Sequence, residues 1–173
     1  MKKVLDALYL GLAMENQGEA FYRMSAGRVT SAAAKEMFLG LADWEAEHQQ
    51  YIQGQIDSIV AGNKPDAEAA IPPEASQLGP SVFRARSVDY PKEPSLPVEA
   101  KTTELSAMRM AMFIEDDLHK YYLKSAEETA DPDGKAIFLK LAAWEVDHRD
   151  MLEGRYEYLK EAYFATLGVS PGY

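Results

Sequence analysis

Apolar residues in this chain recur at alternating intervals of three and four over four long stretches, the spacing that places side chains on one stripe of an α-helix. In the first stretch the stripe reads Leu5, Leu8, Leu12, Glu15, Glu19, Tyr22; in the second it reads Phe38, Leu41, Glu45, His48, Ile52, Gln55, Ile59. The third carries Leu105, Met108, Met112, Glu115, His119, Tyr122, Ala126, and the fourth Phe138, Leu141, Glu145, His148, Leu152, Arg155, Leu159. The heptad-like spacing of all four suits a left-handed helical bundle. Six of the stripe residues, Glu15, Glu45, His48, Glu115, Glu145 and His148, are polar where an apolar residue is expected. An unpaired carboxylate in a bundle seam costs several kcal/mol, so six such groups at one level call for a common partner.

The punctuation between the stretches predicts an all-α bundle of two antiparallel hairpins within one domain, residues 1–173. Ser31 is placed to cap the second helix, Thr102 or Thr103 the third, and Asp131 followed by Pro132 the fourth. The first helix is expected to fade near Gly27 and the second near Gly62. Seven prolines fall between Pro65 and Pro97, and helix interiors exclude proline. Residues 63–101 are therefore expected to form a crossover running the length of the bundle, between a hairpin at 2–62 and another at 102–168. Within the crossover, Val82 to Val88 is moderately apolar and suited to packing on the bundle or on a second copy, from which a homodimer is expected.

The two hairpins repeat at an offset of one hundred residues. Tyr22 matches Tyr122, Ser25-Ala26 matches Ser125-Ala126, and Lys35 matches Lys135. Phe38-Leu39-x-Leu41-Ala42-x-Trp44-Glu45-x-x-His48 matches Phe138-Leu139-x-Leu141-Ala142-x-Trp144-Glu145-x-x-His148. Such a register without a gap implies hairpins related by a pseudo-two-fold axis. A Glu-x-x-His pair points both side chains off one helix face, so two such pairs and two single glutamates compose a ligand set lying on that axis.

Composition narrows the chemistry. With 173 residues, 47% of them hydrophobic, the chain suits one compact domain with a sizeable core. It has no cysteine, which excludes disulfides, iron–sulfur ligation and thiol nucleophiles. Oxygen and nitrogen donors remain, and these suit iron, manganese or a mixed pair better than zinc. The formal net charge of −10 argues against nucleic acid as a partner. No apolar run reaches membrane-spanning length and Asp6 interrupts any signal-peptide core, so no membrane association and a cytoplasmic location are expected.

The stretches Met14-Glu15-x-x-Gly18-x-x-Phe21-Tyr22, Trp44-Glu45-x-x-His48, Glu115-x5-Tyr121-Tyr122 and Trp144-Glu145-x-x-His148 resemble the rubrerythrin-type branch of the ferritin-like superfamily. The resemblance covers both hairpins and leaves out the central connection. It implies a ferritin-like four-helix bundle holding two iron ions, with Glu15 and Glu115 as terminal ligands, Glu45 and Glu145 as bridging ligands, and one imidazole per metal. It further implies an oxidoreductase acting on hydrogen peroxide, or on ferrous iron with dioxygen. Two departures stand out. There is no cysteine-ligated rubredoxin module, so an external electron donor is required, and Leu118 stands where rubrerythrins carry a second glutamate. An iron-storage component of a larger oligomer and a non-catalytic adaptor bundle with relic ligands are the competing readings.

Around the six ligands, Tyr22 and Tyr122 are expected to hydrogen-bond ligand carboxylates. Glu19 and His119, equivalent in the repeat but different in type, are expected to face each other as a buried acid–base pair, one of them gating protons or adding a ligand. Trp44 and Trp144 are expected to pack beside the seam rather than to carry electrons. Met108, Met110 and Met112 are expected to fill the core.

Overall fold

A computed structural model describes residues 1–69 and 96–169. Four helices account for most of these residues: α1 Lys2–Arg28, α2 Ala32–Val60, α3 Val98–Glu128 and α4 Pro132–Thr166. No strand occurs among the described residues, and no helix there is long and apolar enough to cross a membrane. Helix α1 packs along α2 and α3 along α4, each pair joined by a three-residue turn, while α1 meets α3 to bring the hairpins together. Most of the expected crossover, including Val82 to Val88, lies outside the described residues.

Local chemistry sets the helix ends. The Ser31 hydroxyl accepts from the Ala34 amide at 3.0 Å, and the Asp131 carboxylate accepts from the Gly134 amide at 2.9 Å with Pro132 opening α4. Helix α2 stops one residue before Ala61, and Gly62 takes the left-handed backbone, φ 90°, that its missing Cβ permits. Helix α3 corrects the expected cap. Pro97 is its N-cap and Val98 its first residue, while the Thr102 and Thr103 hydroxyls donate back to the carbonyls of Val98 and Glu99 inside the helix. Proline removes one of the four amides that a helix start leaves unpaired, and Pro97 supplies no side-chain cap for the rest.

The core forms two apolar clusters flanking the polar level. One gathers Leu8, Ile52, Ile56, Leu118, Tyr122, Ile137 and Phe138; the other gathers Tyr22, Phe38, Leu41, Met108, Ala111, Leu152 and Leu159. In α2 and α4 every predicted stripe residue is buried. In α1 and α3 alternate positions slip by one: Val4, Gly11 and Gly18 are buried where Leu5, Leu12 and Glu19 were expected, and Ala111 and Leu118 replace Met112 and His119. The reason is close approach. A Cβ on Gly11 would stand 3.0 Å from the Tyr122 ring and hydroxyl, tighter than ordinary contact, and one on Gly18 would stand at ordinary contact, 3.6 Å from the Glu45 carboxyl carbon. A stripe read from large apolar residues passes over small ones that let another helix's side chain fill the space. Of the methionine trio Met108 is buried in the core, Met112 packs half-buried against it, and Met110 is exposed.

Polar residues also secure the bundle. Buried Glu104 accepts from the Ser31 amide at 2.8 Å, tying α3 to the α1–α2 turn. Lys101 donates to Ala162 O and Thr166 Oγ1, closing the end of α4. Gln55 brackets Asp66, donating to its carbonyl and accepting from its amide, so the chain leaving α2 lies back on the bundle.

Candidate metal centre

All six predicted ligands converge in the middle of the bundle, and each is at most 5% exposed. Their arrangement obeys the sequence repeat. The Nδ1 atom of His48 lies 3.4 Å from Glu15, 3.5 Å from Glu45 and 3.3 Å from Glu145. The Nδ1 atom of His148 lies 3.4 Å from Glu45, 3.4 Å from Glu115 and 3.8 Å from Glu145. Glu45 turns one oxygen to each imidazole, as does Glu145, whereas Glu15 and Glu115 each reach one imidazole only. Exchanging the hairpins maps this pattern onto itself. The tightest group, Glu45, His48, Glu145 and His148, offers ligand atoms all within 4.8 Å of one another.

Much of the donor set has no hydrogen-bond partner. Both carboxylate oxygens of Glu45 and of Glu145, Oε2 of Glu115 and Nδ1 of His148 are buried without one among the described residues. Buried polar atoms are almost always satisfied, so six orphans aimed into one space compose a donor set with the chemistry to hold a cation. The proton balance points the same way. Burial pushes the Glu15 carboxyl up to about 8, reinforced by the neighbouring Glu45 charge. Burial, then the Glu15 charge, raises Glu145 well above the usual carboxylate range. Burial acts on Glu45 in the same sense, but the facing Glu15 carboxyl and the two imidazoles outweigh it and hold this carboxyl low. The imidazoles resist the desolvation that would lower them: Glu145 and Glu15 raise His48, and Glu115 and Glu45 raise His148 to about 10. Without a metal, the centre offsets its buried negative charge by holding protons.

The tyrosines close the site crosswise. Tyr22 on α1 donates to Glu115 Oε1 on α3, and Tyr122 on α3 donates to Glu15 Oε1 on α1. Each therefore serves the carboxylate of the other hairpin and not that of its own helix, which places its free oxygen toward the centre. Burial first, and then the Glu115 or Glu15 charge, pushes both phenols well above their usual range. They remain protonated donors.

Glu19 and His119 do not form the expected facing pair. Glu19 accepts from Arg23 at 2.7 Å and Gln49 at 2.9 Å on the outer side of α1 and α2. His119 Nδ1 donates to the Ala142 carbonyl at 2.8 Å, because a carbonyl can only accept. The slipped stripe explains this, since Gly18 and Leu118 occupy the seam and leave positions 19 and 119 on the flank. Trp44 and Trp144 do lie beside the seam, each stacked on the histidine of the opposite hairpin. Lys140, which the sequence reading passed over, stands over the Tyr51 and Trp144 rings and donates to Ala67 O. Only its position in the heptad, outside the seam beside a tryptophan one turn on, could have drawn attention to it.

A four-helix bundle with carboxylates and imidazoles from every helix pair meeting on a pseudo-two-fold axis defines the ferritin-like, carboxylate-and-histidine class of helical protein. The chain belongs to the rubrerythrin family, whose model matches residues 6–156. Among solved structures it is similar to the hypothetical protein Pfu-1136390-001 from Pyrococcus furiosus, at 22% identity and a TM-score of 0.61, over 91% of this chain and 90% of that one. That likeness supports the fold alone. No curated protein matches the chain.

Proposed function

We propose that the chain is a di-iron oxidoreductase that reduces hydrogen peroxide, with oxidation of ferrous iron by dioxygen as the related activity of the same centre. The observation that carries this reading is the set of buried, partnerless carboxylate oxygens divided symmetrically between two imidazoles. The residues fit two ions: His48 and Glu15 would hold one and His148 and Glu115 the other, with Glu45 and Glu145 bridging. Sulfur is absent and oxygen donors outnumber nitrogen donors, which suits iron or manganese.

Bound iron would supply the redox chemistry: two ferrous ions carry the two electrons needed to convert one hydrogen peroxide to two waters. The protein's own contribution is geometric and electrostatic. Tyr22 and Tyr122 fix the rotation of Glu115 and Glu15, as outer hydrogen bonds to ligands generally do. The apolar clusters on both sides exclude bulk water. Protons held at Glu15, Glu145 and the imidazoles in the metal-free centre would be released as metals bind.

Anaerobic loading with ferrous iron followed by metal analysis and a rapid-mixing peroxide assay tests the reading. Two irons per chain, fast oxidation by peroxide, and loss of iron binding in Glu45→Gln and Glu145→Gln are expected. Failure to retain iron, or bound ferrous iron that peroxide leaves unoxidised, would overturn it.

A further inference from the structure

The two imidazoles are the middle of a four-ring column. Trp44 stacks on His148 with centroids 5.0 Å apart and planes 12° apart, His148 on His48 at 4.9 Å and 3°, and His48 on Trp144 at 4.7 Å and 16°. The imidazoles are buried while both indoles are half-buried, so the column runs from the bundle's surface through the centre and out again. Single aromatic pairs are ordinary core packing. A column whose inner rings are the candidate metal ligands and whose outer rings are indoles, among the more easily oxidised side chains in a protein, places electron donors in face contact with the centre. Electron transfer weakens steeply with distance, and stacked faces couple well.

We propose that Trp44 and Trp144 are a built-in source of one electron for the centre when it holds a single ferrous ion. The inference rests on the iron-and-peroxide reading above. Hydrogen peroxide, two protons and two electrons give two waters. Two ferrous ions provide both electrons. One ferrous ion provides one, and the second leaves an indole through the facing imidazole; the products are two waters, a ferric ion and an indole radical cation that keeps its N–H. A small one-electron reductant of the ascorbate or thiol class then restores the indole. The column thereby gives a half-loaded centre a route that ends in water instead of a freely diffusing hydroxyl radical.

Tyr22 and Tyr122 are less suited to this step although they touch ligands directly. A phenol gives up an electron readily only with its proton, and the acceptors here, Glu115 and Glu15, would be weak bases once metal-bound. An indole needs no such transfer. The Lys140 ammonium sits 5.6 Å from the Trp144 ring centroid and opposes positive charge there.

The test loads the full chain anaerobically with one or two ferrous ions, confirms the iron content, mixes it with hydrogen peroxide, and freezes it for electron paramagnetic resonance. An indole radical is expected at one ion per chain, falling several-fold at two. Each of Trp44→Phe and Trp144→Phe should retain the signal of the remaining indole, and the double variant should lose it with its iron content unchanged. Lys140→Met should raise the share of the radical on Trp144. A tyrosine radical in place of an indole radical, equal indole signals at both loadings, or a signal that survives the double substitution would overturn the inference while leaving the iron site standing. A chain that binds no iron would overturn both. If the double variant does not fold, the hyperfine patterns of the two single variants decide.

Discussion

Replacing Gly11 by alanine probes how tightly the metal centre is bound to helix packing. The new Cβ would stand 3.0 Å from both Cε1 and the hydroxyl of Tyr122, where ordinary contact is 3.4–4 Å, so something must give by a few tenths of an ångström. Tyr122 has little room to do so. It is fully buried, set edge-on against Tyr121 at 5.4 Å, and its hydroxyl is engaged with Glu15. Alanine gains about 1 kcal/mol of helix propensity over glycine, overpacking costs about 1–3 kcal/mol, and a weakened hydrogen bond to a charged group adds about 1.5–3 kcal/mol if it is lost. With that bond lost, the balance is a destabilisation of about 1.5–5 kcal/mol. Gly54 is the control, since a Cβ there meets nothing within 4 Å, and Gly54→Ala should stabilise by about 0.5–1 kcal/mol from propensity alone. Urea unfolding at unchanged m-value measures both. Gly11→Ala should also weaken ferrous binding by about tenfold, because Glu15 loses the contact that orients it. A Gly11→Ala protein as stable as Gly54→Ala, with unaltered iron affinity, would refute the reasoning.

The metal-free protein should lose stability as pH rises. Glu15 has a folded value of about 8 against an ordinary 4.5, so its contribution is fully present below 4.5 and gone above about 8; that of His148 is lost between 6.5 and about 10. Each such proton gives a slope of about 1.4 kcal/mol per pH unit within its window, and chemical unfolding of apoprotein between pH 5 and 8 that showed constant or rising stability would contradict it. Iron affinity should rise with pH over the same range, because metal displaces those protons. Leu118→Glu adds a carboxylate one turn from Glu115 in a fully buried position. It should destabilise the apoprotein by about 3–5 kcal/mol as an uncompensated buried charge and widen the melting-temperature gap between apo and ferrous forms; an unchanged gap would show that position 118 does not face the metals. Asp131→Ala removes the α4 cap and should cost about 1 kcal/mol in urea titration without affecting iron binding.

How much of this was legible in the sequence depended on which side chains fill space. Helices α2 and α4 carry bulky residues at every seam position, and their stripes were readable in full from Phe38 to Ile59 and Phe138 to Leu159. Helices α1 and α3 were readable only in alternate positions, because Gly11, Gly18 and Ala111 serve the seam by being small. That slip displaced Glu19 and His119 from centre to flank. The six donors could be found because polarity in a seam is conspicuous, whereas the crosswise tyrosine bonds and the ring column depend on how one hairpin sits against the other. No spacing within a helix encodes that placement. The cap of α3 was missed because threonines compete for the role with a proline whose qualification is the lack of an amide.

The crosswise contacts carry a consequence for descent. The contacts of Tyr22 with Glu115, Tyr122 with Glu15, Trp44 with His148 and Trp144 with His48 each join one hairpin to the other and have their mirror image in the repeat. A lone hairpin bearing one glutamate, one tyrosine and one Trp-Glu-x-x-His would find all its missing partners in a second copy of itself. The architecture is thus that of a self-complementary dimer written twice into one chain. The halves differ at Gln55 and Arg155 and at Gly18 and Leu118, while the shared centre holds the rest in register.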